Sequence, residues 1–390
     1  MNAPLAGLRV LELARILAGP WIGQTLADLG ADVIKVEAPA GDDTRRWGPP
    51  FIRTAGGDSG DAAYFHSCNR GKRSIIADFN TAEGRAVAHA LAARADVLIE
   101  NFKVGALQKY ALDYASLHAI NARLIYCSIT GFGQSGPYAG RSGYDVLIQG
   151  MSGIMDLTGA PEGEPQKIGV ALADICTGLY GVIAIQAALA QRARTGAGQH
   201  IDMALLDTMV AVLANQALNF LVSGTVPHRQ GNSHPNIVPY QVFQASDGPI
   251  IIAVGNDAQF ARLCALLGQD ELAQDPRFAT NSARVAHRDL VVSILAGRLG
   301  LRARGELLAE LDRAGIPAGP INTVAEAFAD PQVRHRGLQR CIPAPWAEVG
   351  SVPSVRTPID FSAAQLQLGR PAPRLGEHTA EILAELGPLS

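Results

Sequence analysis

Leu8-Arg-Val-Leu-Glu-Leu13, Pro20-Trp-Ile-Gly-Gln-Thr-Leu-Ala-Asp-Leu29 and Ala31-Asp-Val-Ile-Lys-Val-Glu37 succeed one another near the start of the chain. The outer two are apolar runs of strand length. The middle one opens on a proline, whose fixed φ suits a first helical turn, and stops at Gly30. Together they read as a β-α-β unit. The alternation recurs in a helix from Ala82 to Ala95, a strand Asp96-Val-Leu-Ile-Glu100 and a strand Arg123-Leu-Ile-Tyr-Cys-Ser-Ile129. Repeated alternation predicts an α/β fold with a parallel, doubly wound sheet.

Beyond a strand-like His200-Ile-Asp-Met203 and a helix from Leu205 to Val222, the character changes at the polar, Pro- and Gly-bearing stretch Ser223 to Pro235. Residues 1–222 are therefore expected to form the N-terminal part of a large Rossmann-like domain, and 223–237 a linker. Residues 238–318 hold a short β unit (Tyr240 to Phe243, Ile250 to Val254) and amphipathic helices, enough for a small α+β domain. Residues 319–390 are expected to form a return segment and the C-terminal part of the large domain. Its proline-rich part, Ile342 to Arg374, is expected to run over a surface before a final helix from Gly376 to Leu386.

The 390 residues, 48% hydrophobic and 18% charged, suffice for two domains with large cores. A net charge of -3 argues against nucleic acid as a partner, because phosphate-backbone binding normally shows as a basic excess. Met1 to Val10 carries no basic leader with an apolar core behind it, so a cytoplasmic protein is expected. The apolar stretches Gly178 to Ala190 and Met203 to Val222 are broken by Gln186, Asp207, Asn215, Gln216 and Asn219. They read as buried core helices and not as membrane spans. Five scattered cysteines show no paired spacing, so neither a metal site nor a disulfide framework is expected.

Asp174 stands out in Gly169-Val-Ala-Leu-Ala-Asp-Ile-Cys-Thr-Gly-Leu-Tyr-Gly181, a lone carboxylate in an apolar run entering a long helix. Such a group is paired, protonated, capping the helix or kept for chemistry, and local sequence leaves these open. Gly131-Phe-Gly-Gln-Ser-Gly136 matches G-x-G-x-x-G after a strand, but Pro137 to Gly143 is too broken for a helix and the match falls late in the sheet. NAD is therefore not expected; a loop that lets an extended ligand approach the backbone is the better reading. Basic residues gather at Arg45 and Arg46, at Arg70, Lys72 and Arg73, and at Lys103 with Lys109. Together they suit a phosphorylated ligand. Neither a G-x-S-x-G elbow nor H-E-x-x-H is present.

Several motifs together resemble the class III CoA-transferases (CaiB/BaiF, formyl-CoA transferase-like), a family that includes the α-methylacyl-CoA racemases. They are Leu5 to Leu13 with Ala18-Gly-Pro20, Gly30 to Glu37, Asn69-Arg-Gly-Lys-Arg-Ser74, Glu100-Asn-Phe102, Gly131-Phe-Gly133 with Gly136-Pro-Tyr138, Ala173 to Gly178, and Pro373 to His378. The resemblance implies a large Rossmann-like domain made from both chain ends, a small domain, and an interlocked, ring-shaped homodimer. It implies CoA contacts at Leu17, Ala18, Asn69, Arg70, Lys72, Arg73, Asn101, Phe102, Lys103, Lys109, Thr130, Gly131, Phe132, Gly133 and Gln134. Ala38 stands where formyl-CoA transferase carries an arginine, with Arg45 or Arg46 as substitutes. Asp174 matches the nucleophile, which forms an aspartyl anhydride and then an aspartyl-CoA thioester. The racemase alternative needs a histidine where this chain has Tyr144. Gly231 to Phe243, with Gly255 to Phe260, resembles the branch that uses succinyl-CoA and short dicarboxylates such as hydroxymethylglutarate or itaconate. Tyr144 and, for the second carboxylate, Asn232, His234 or an arginine from a partner subunit are the candidate contacts to the acid.

Overall fold

The computed structural model describes residues 3–388, which divide into two compact units. The larger takes the chain up to Ile154, Lys167–Ser223 and the chain from Pro331 onward; the smaller takes Met155–Gln166 and Gly224–Asp330. Within the smaller unit, Gly231 N–H donates to Gly159 O, Arg229 pairs with Asp156, and Gln166 N–H donates to Thr158 O. These bonds hold an excursion of the large unit's chain that sequence patterning did not reveal.

In the large unit all six strands run parallel, in the spatial order Arg73–Ile76, Asp32–Glu37, Arg9–Glu12, Val97–Glu100, Ile125–Thr130, Gln199–Ala204. Numbered along the chain this is 3-2-1-4-5-6, the doubly wound order, which reverses direction between Arg9–Glu12 and Val97–Glu100. Strands buried on both faces read as continuous apolar runs. Val97, Leu98 and Ile99 all lie in the core, as do Ile125, Tyr126 and Cys127. Helices Ala18–Asp28 and Leu172–Thr195 pack on one face. Helices Ala82–Arg94 and Thr379–Leu386 pack on the other, so both chain ends build this unit.

Two expectations need correction. The segment from Leu205 to Val222 forms two helices, Leu205–Ala211 and Ala214–Ser223, bent by 72°, with Ala214 left-handed at φ +48. Nor are the apolar helices simply core. Leu172–Thr195 is long and apolar enough to cross a membrane by length and composition, and while Ala173, Ile185 and Ala188 are buried, Leu179, Tyr180 and Ile183 are exposed. The proline-rich return segment contains a hairpin of Gln339–Pro343 with Ser351–Val355.

The smaller unit has an antiparallel sheet in the order Ala318–Pro320, Gly248–Ala253, Tyr240–Ala245. Helices Asp257–Leu266, Arg288–Leu299 and Arg304–Arg313 bury Phe260, Leu295 and Leu307 against it. Arg284 is fully buried there, donating to Val238 O at 2.7 Å, Phe278 O at 2.8 Å and Asp257 Oδ1 at 2.8 Å.

A buried charge cluster anchors the carboxyl end of the first strand. Glu12 Oε1 accepts from Lys35 Nζ at 3.0 Å and Lys72 Nζ at 2.9 Å, and Lys35 also pairs with Asp42 at 3.0 Å. The side chains of Glu12, Lys35 and Lys72 are 0% exposed. Removing one partner of such a cluster strands a charge without water or counter-ion. Glu12→Ala is expected to destabilise the large unit by about 3–5 kcal/mol in urea unfolding. Arg46→Ala, at an exposed pair 3.6 Å from Asp43, should change it by under about 0.5 kcal/mol.

Candidate active site

Ligands of open α/β sheets bind outside the carboxyl ends of the strands where the strand order reverses. In the large unit a cavity of about 410 Å³ opens there, lined from one side of the reversal by Arg15, Ile16 and Ala18 and from the other by Asn101, Phe102 and Lys103. Asn101 clamps the two sides together: its Oδ1 accepts Arg15 N–H at 2.9 Å and its Nδ2 donates to Arg15 O at 2.6 Å. The next residue, Ile16, is left-handed at φ +73, a strained conformation for a β-branched side chain. Asp42 helps hold it, accepting Ile16 N–H at 3.3 Å. Sequence reading missed Arg15 and Ile16.

Asp174 also lines this cavity, in the first turn of helix Leu172–Thr195. The helix seats closely on Ala18–Asp28 because Gly178 and Gly181 face it: a Cβ on Gly181 would lie 2.4 Å from Ile22 Cδ1. Asp174 is not the cap of its own helix. Asp145, at the start of helix Asp145–Met151, accepts Ala173 N–H at 2.8 Å and Asp174 N–H at 3.4 Å on one oxygen, and Gln149 Nε2 at 2.7 Å on the other. Gln149, fully buried, accepts Ile168 N–H at 2.9 Å, so the segment leading into the helix is held from the same side.

The Asp174 carboxyl accepts no hydrogen bond among the described residues. Burial first, and the nearby Asp145 charge second, push its pKa up to about 7. A helix N-terminus favours a carboxylate, yet here desolvation and a like charge outweigh it. The result is a basic, poorly solvated carboxyl facing a cavity, as a carboxylate nucleophile requires. Lys103 and Arg141 line the same cavity and have no carboxylate partner among the described residues. Arg141 lies 4.5 Å over the Tyr138 ring and 5.4 Å over Phe132.

The glycine-rich loop reaches the cavity through Thr130 and Gly131. A Cβ on Gly131 would lie 2.5 Å from Gly143 Cα, so both glycines are needed for the loop to cross the segment leading to Tyr144 and Asp145. Gly133 N–H donates to Thr130 Oγ1 and Gln134 N–H to Asp202 Oδ2, both at 2.9 Å. Helix does not resume until Asp145, unlike a dinucleotide fingerprint, which runs directly into a helix.

Of the expected contacts, Ala18, Asn101, Phe102, Lys103, Thr130, Gly131, Tyr144 and Asp174 meet at this cavity. Leu17 is buried beside it at the helix start, Phe132 packs on Tyr138, and Lys109 is exposed over Tyr110. Gln134 lines an adjoining cavity of about 260 Å³ with His200 and Glu100. The motif Asn69 to Arg73 needs correction, because its polar groups are committed inside the fold. Asn69 and Lys72 bond each other at 2.8 Å, Arg70 Nε donates to Asp28 at 3.0 Å, and Arg73 Nε donates to Asp32 at 2.9 Å while Nη1 pairs with Glu385 at 2.7 Å. None of the four lines the cavity. Arg45 cannot stand in for the arginine absent at Ala38, since Glu37 and Asp61 occupy its guanidinium. Asn232 and His234 belong to the smaller unit, where Asn232 is exposed and His234 Nδ1 accepts Asn236 N–H at 3.0 Å. No group of three His, Cys, Asp or Glu among the described residues could hold a metal ion.

The family model for CoA-transferase family III matches residues 5–379. A succinate–glutarate CoA-transferase of Agrobacterium fabrum is 58% identical over 385 residues, covering 98% of this chain and 96% of that protein. The succinyl-CoA:glutarate CoA-transferase of Homo sapiens is 42% identical over 384 residues, covering 98% and 86%. The crystal structure of a CaiB/BaiF family protein from Brucella suis superposes with a TM-score of 0.88 at 64% identity, covering 99% of this chain and 100% of that one. With an unpaired carboxyl at the sheet's reversal point and likeness along its whole length, the chain belongs to CoA-transferase family III and is a CoA-transferase.

Proposed function

We propose that this enzyme moves CoA from succinyl-CoA to a short dicarboxylic acid, with Asp174 as the nucleophile. The observation that carries the reading is the Asp174 carboxyl, unpaired and raised to about 7, in the cavity that Lys103 and Arg141 share. The relatives above, named for succinate and glutarate, support the substrate class.

The Asp174 carboxylate attacks the thioester carbonyl, the C–S bond breaks, and CoA leaves as a thiolate with a mixed anhydride behind it. The thiolate then attacks Asp174 Cγ, expelling succinate with the bridging oxygen and leaving an aspartyl-CoA thioester. The acceptor carboxylate attacks that thioester, and the same two steps run in reverse with the new acid. A carboxylate suits the task because it resembles the substrate acids as nucleophile and leaving group, so the passage of CoA from acid to Asp174 to acid stays near thermoneutral. Lys103 and Arg141 supply the positive charge for CoA phosphates and the second carboxylate of the acid. Thr130 and Gly131 present backbone to the reacting carbonyl. Tyr144, 66% exposed, occupies the place where the racemase reading needs a histidine base. Asn232 and His234 are further candidates for the acid's distal end.

We place the enzyme in the cytoplasm as a homodimer, with neither nucleic acid nor membrane as partner. Exposed Leu179, Tyr180, Ile183, Leu218, Leu221 and Val222 support a second copy covering these helices.

Asp174→Ala should lose CoA transfer between succinyl-CoA and glutarate. Hydroxylamine added to wild type with succinyl-CoA should give a hydroxamate at Asp174 by peptide mass spectrometry; transfer at wild-type rate in the Ala variant would falsify the mechanism. Across a panel of acids, glutarate-sized dicarboxylates should outrun monocarboxylates of equal length in kcat/KM. Rapid α-proton exchange of a 2-methylacyl-CoA without any acid would instead point to a racemase.

The raised pKa also sets a stability trend. A folded carboxyl at about 7, against an ordinary 3.8, binds protons that the unfolded chain releases, so wild type loses stability as pH rises between those values. Asp174→Asn lacks that loss. Its Tm relative to wild type should climb from pH 4 to pH 7 and then level off.

A further inference from the structure

Asp145 is a second carboxylate at the same cavity, and the reaction scheme gives it no task. Three features single it out. It comes from a different helix than Asp174 yet accepts the Ala173 and Asp174 N–H groups, so it fixes the turn from which the nucleophile projects. Its other oxygen is held by buried Gln149, which also holds Ile168 N–H, so its position is set on both sides. No arginine, lysine or histidine forms an ion pair with it among the described residues; its partners are those two N–H groups and the Gln149 amide. A neutral acceptor would cap the helix as well, so the charge itself calls for a reason.

We propose that Asp145 is a positioning residue that also drives covalent loading: its carboxylate repels that of Asp174, and the repulsion is relieved when Asp174 becomes a neutral thioester. This rests on Asp174 being the nucleophile. In the loading half-reaction, Asp174 carboxylate and succinyl-CoA become aspartyl-CoA and succinate. One Cγ–O bond and one C–S bond break, and one C–O bond and one C–S bond form. No proton or electron is gained or lost. The negative charge moves from Asp174 to a departing acid, away from Asp145. The relief therefore favours the loaded enzyme in the first half-reaction and opposes unloading equally in the second, leaving the overall equilibrium between the acids unchanged. What it changes is how long the enzyme rests as the aspartyl-CoA thioester, which carries CoA without the exchangeable acid.

The other charged or titratable groups around the Asp174 carboxyl are Tyr64, Tyr144, Arg15, Lys103 and Arg141. None of these carries a carboxylate, so Asp145 is the only like charge among these neighbours.

Asp145→Asn keeps a side-chain acceptor for the helix while removing the charge. The test equilibrates enzyme with a fixed ratio of succinyl-CoA to succinate and measures the CoA-bearing fraction by intact-mass spectrometry. The loading constant should fall about tenfold in the Asn variant, the effect of about one unit of carboxyl basicity. The pH midpoint of loading should move down with it. Asp145→Glu, which restores the charge, should recover most of the loading. A loading constant within twofold of wild type, with the same midpoint, would overturn the proposal. If the Asn variant does not fold, Asp145→Ser, another short neutral acceptor, takes its place: loading should again fall about tenfold, and a constant within twofold of wild type overturns the proposal. Absence of any CoA adduct on wild type would remove Asp174 as nucleophile, and this proposal with it, whereas a wild-type adduct that is indifferent to Asp145 removes this proposal alone.

Discussion

The close seating of helix Leu172–Thr195 on helix Ala18–Asp28 is the constraint on which the site depends. It places Asp174 beside the reversal of strand order, where the backbone after the first strand and that after the fourth diverge to leave a cavity. Side chains larger than hydrogen at Gly178 or Gly181 would push the helices apart: a Cβ on Gly178 meets Ala18 O at 3.1 Å, and one on Gly181 meets Ile22. A helix shifted outward would carry the carboxyl into water, where both its raised basicity and its aim at the cavity would be lost. The same packing buries Ala173 in the core and leaves Asp174 at its edge, so one turn of helix serves both the fold and the cavity.

The basic residues show why charge in a sequence is an ambiguous sign of a phosphate site. Arg70, Lys72 and Arg73 lie in one short motif next to a strand end, and local sequence cannot separate them from Lys103 or Arg141. The difference lies in residues far away along the chain. Lys72 finds Glu12, Arg70 finds Asp28, and Arg73 finds Asp32 together with Glu381 and Glu385 of the last helix. Carboxylates spaced by such distances in sequence become neighbours only once the sheet forms and the C-terminal helix returns to it. A buried ion pair of this kind adds little net stability over an apolar pair, but it fixes which segments meet, here both ends of the chain.

The parallel sheet was legible because its strands are apolar runs with helix-like segments between them, a pattern that survives without tertiary detail. The excursion Met155–Gln166 was not, since a short polar piece with Pro161, Pro165 and the acidic Asp156, Glu162 and Glu164 looks like any surface loop until its hydrogen bonds to residues 224–330 are seen. The bend between Leu205–Ala211 and Ala214–Ser223 was hidden for another reason: the apolar pattern continues through it, and the break is a single left-handed alanine, with neither Gly nor Pro to mark it. In the site, Asp174 and the ends of the loops were readable from residue type and motif. Asp145 was passed over because its significance is a contact with the N-terminus of a helix beginning at Leu172, which no spacing rule links to it.

That contact bears on how an enzyme can use a carboxylate to handle carboxylates. A nucleophile much less basic than its substrate acids would attack the thioester poorly, and the returning thiolate would expel it again in preference to the acid. One much more basic would hold CoA too firmly to pass it on. Desolvation alone raises basicity at a fixed level set by packing, whereas a neighbouring charge raises it only while the nucleophile is itself charged and has no counterpart once the thioester has formed. Placing that charge on a cap is economical in structural terms, because the side chain that acts on the Asp174 carboxyl also accepts the amide of the same residue. On the proposed mechanism, one side chain thus fixes the turn that carries the nucleophile and adds to the basicity that burial gives it.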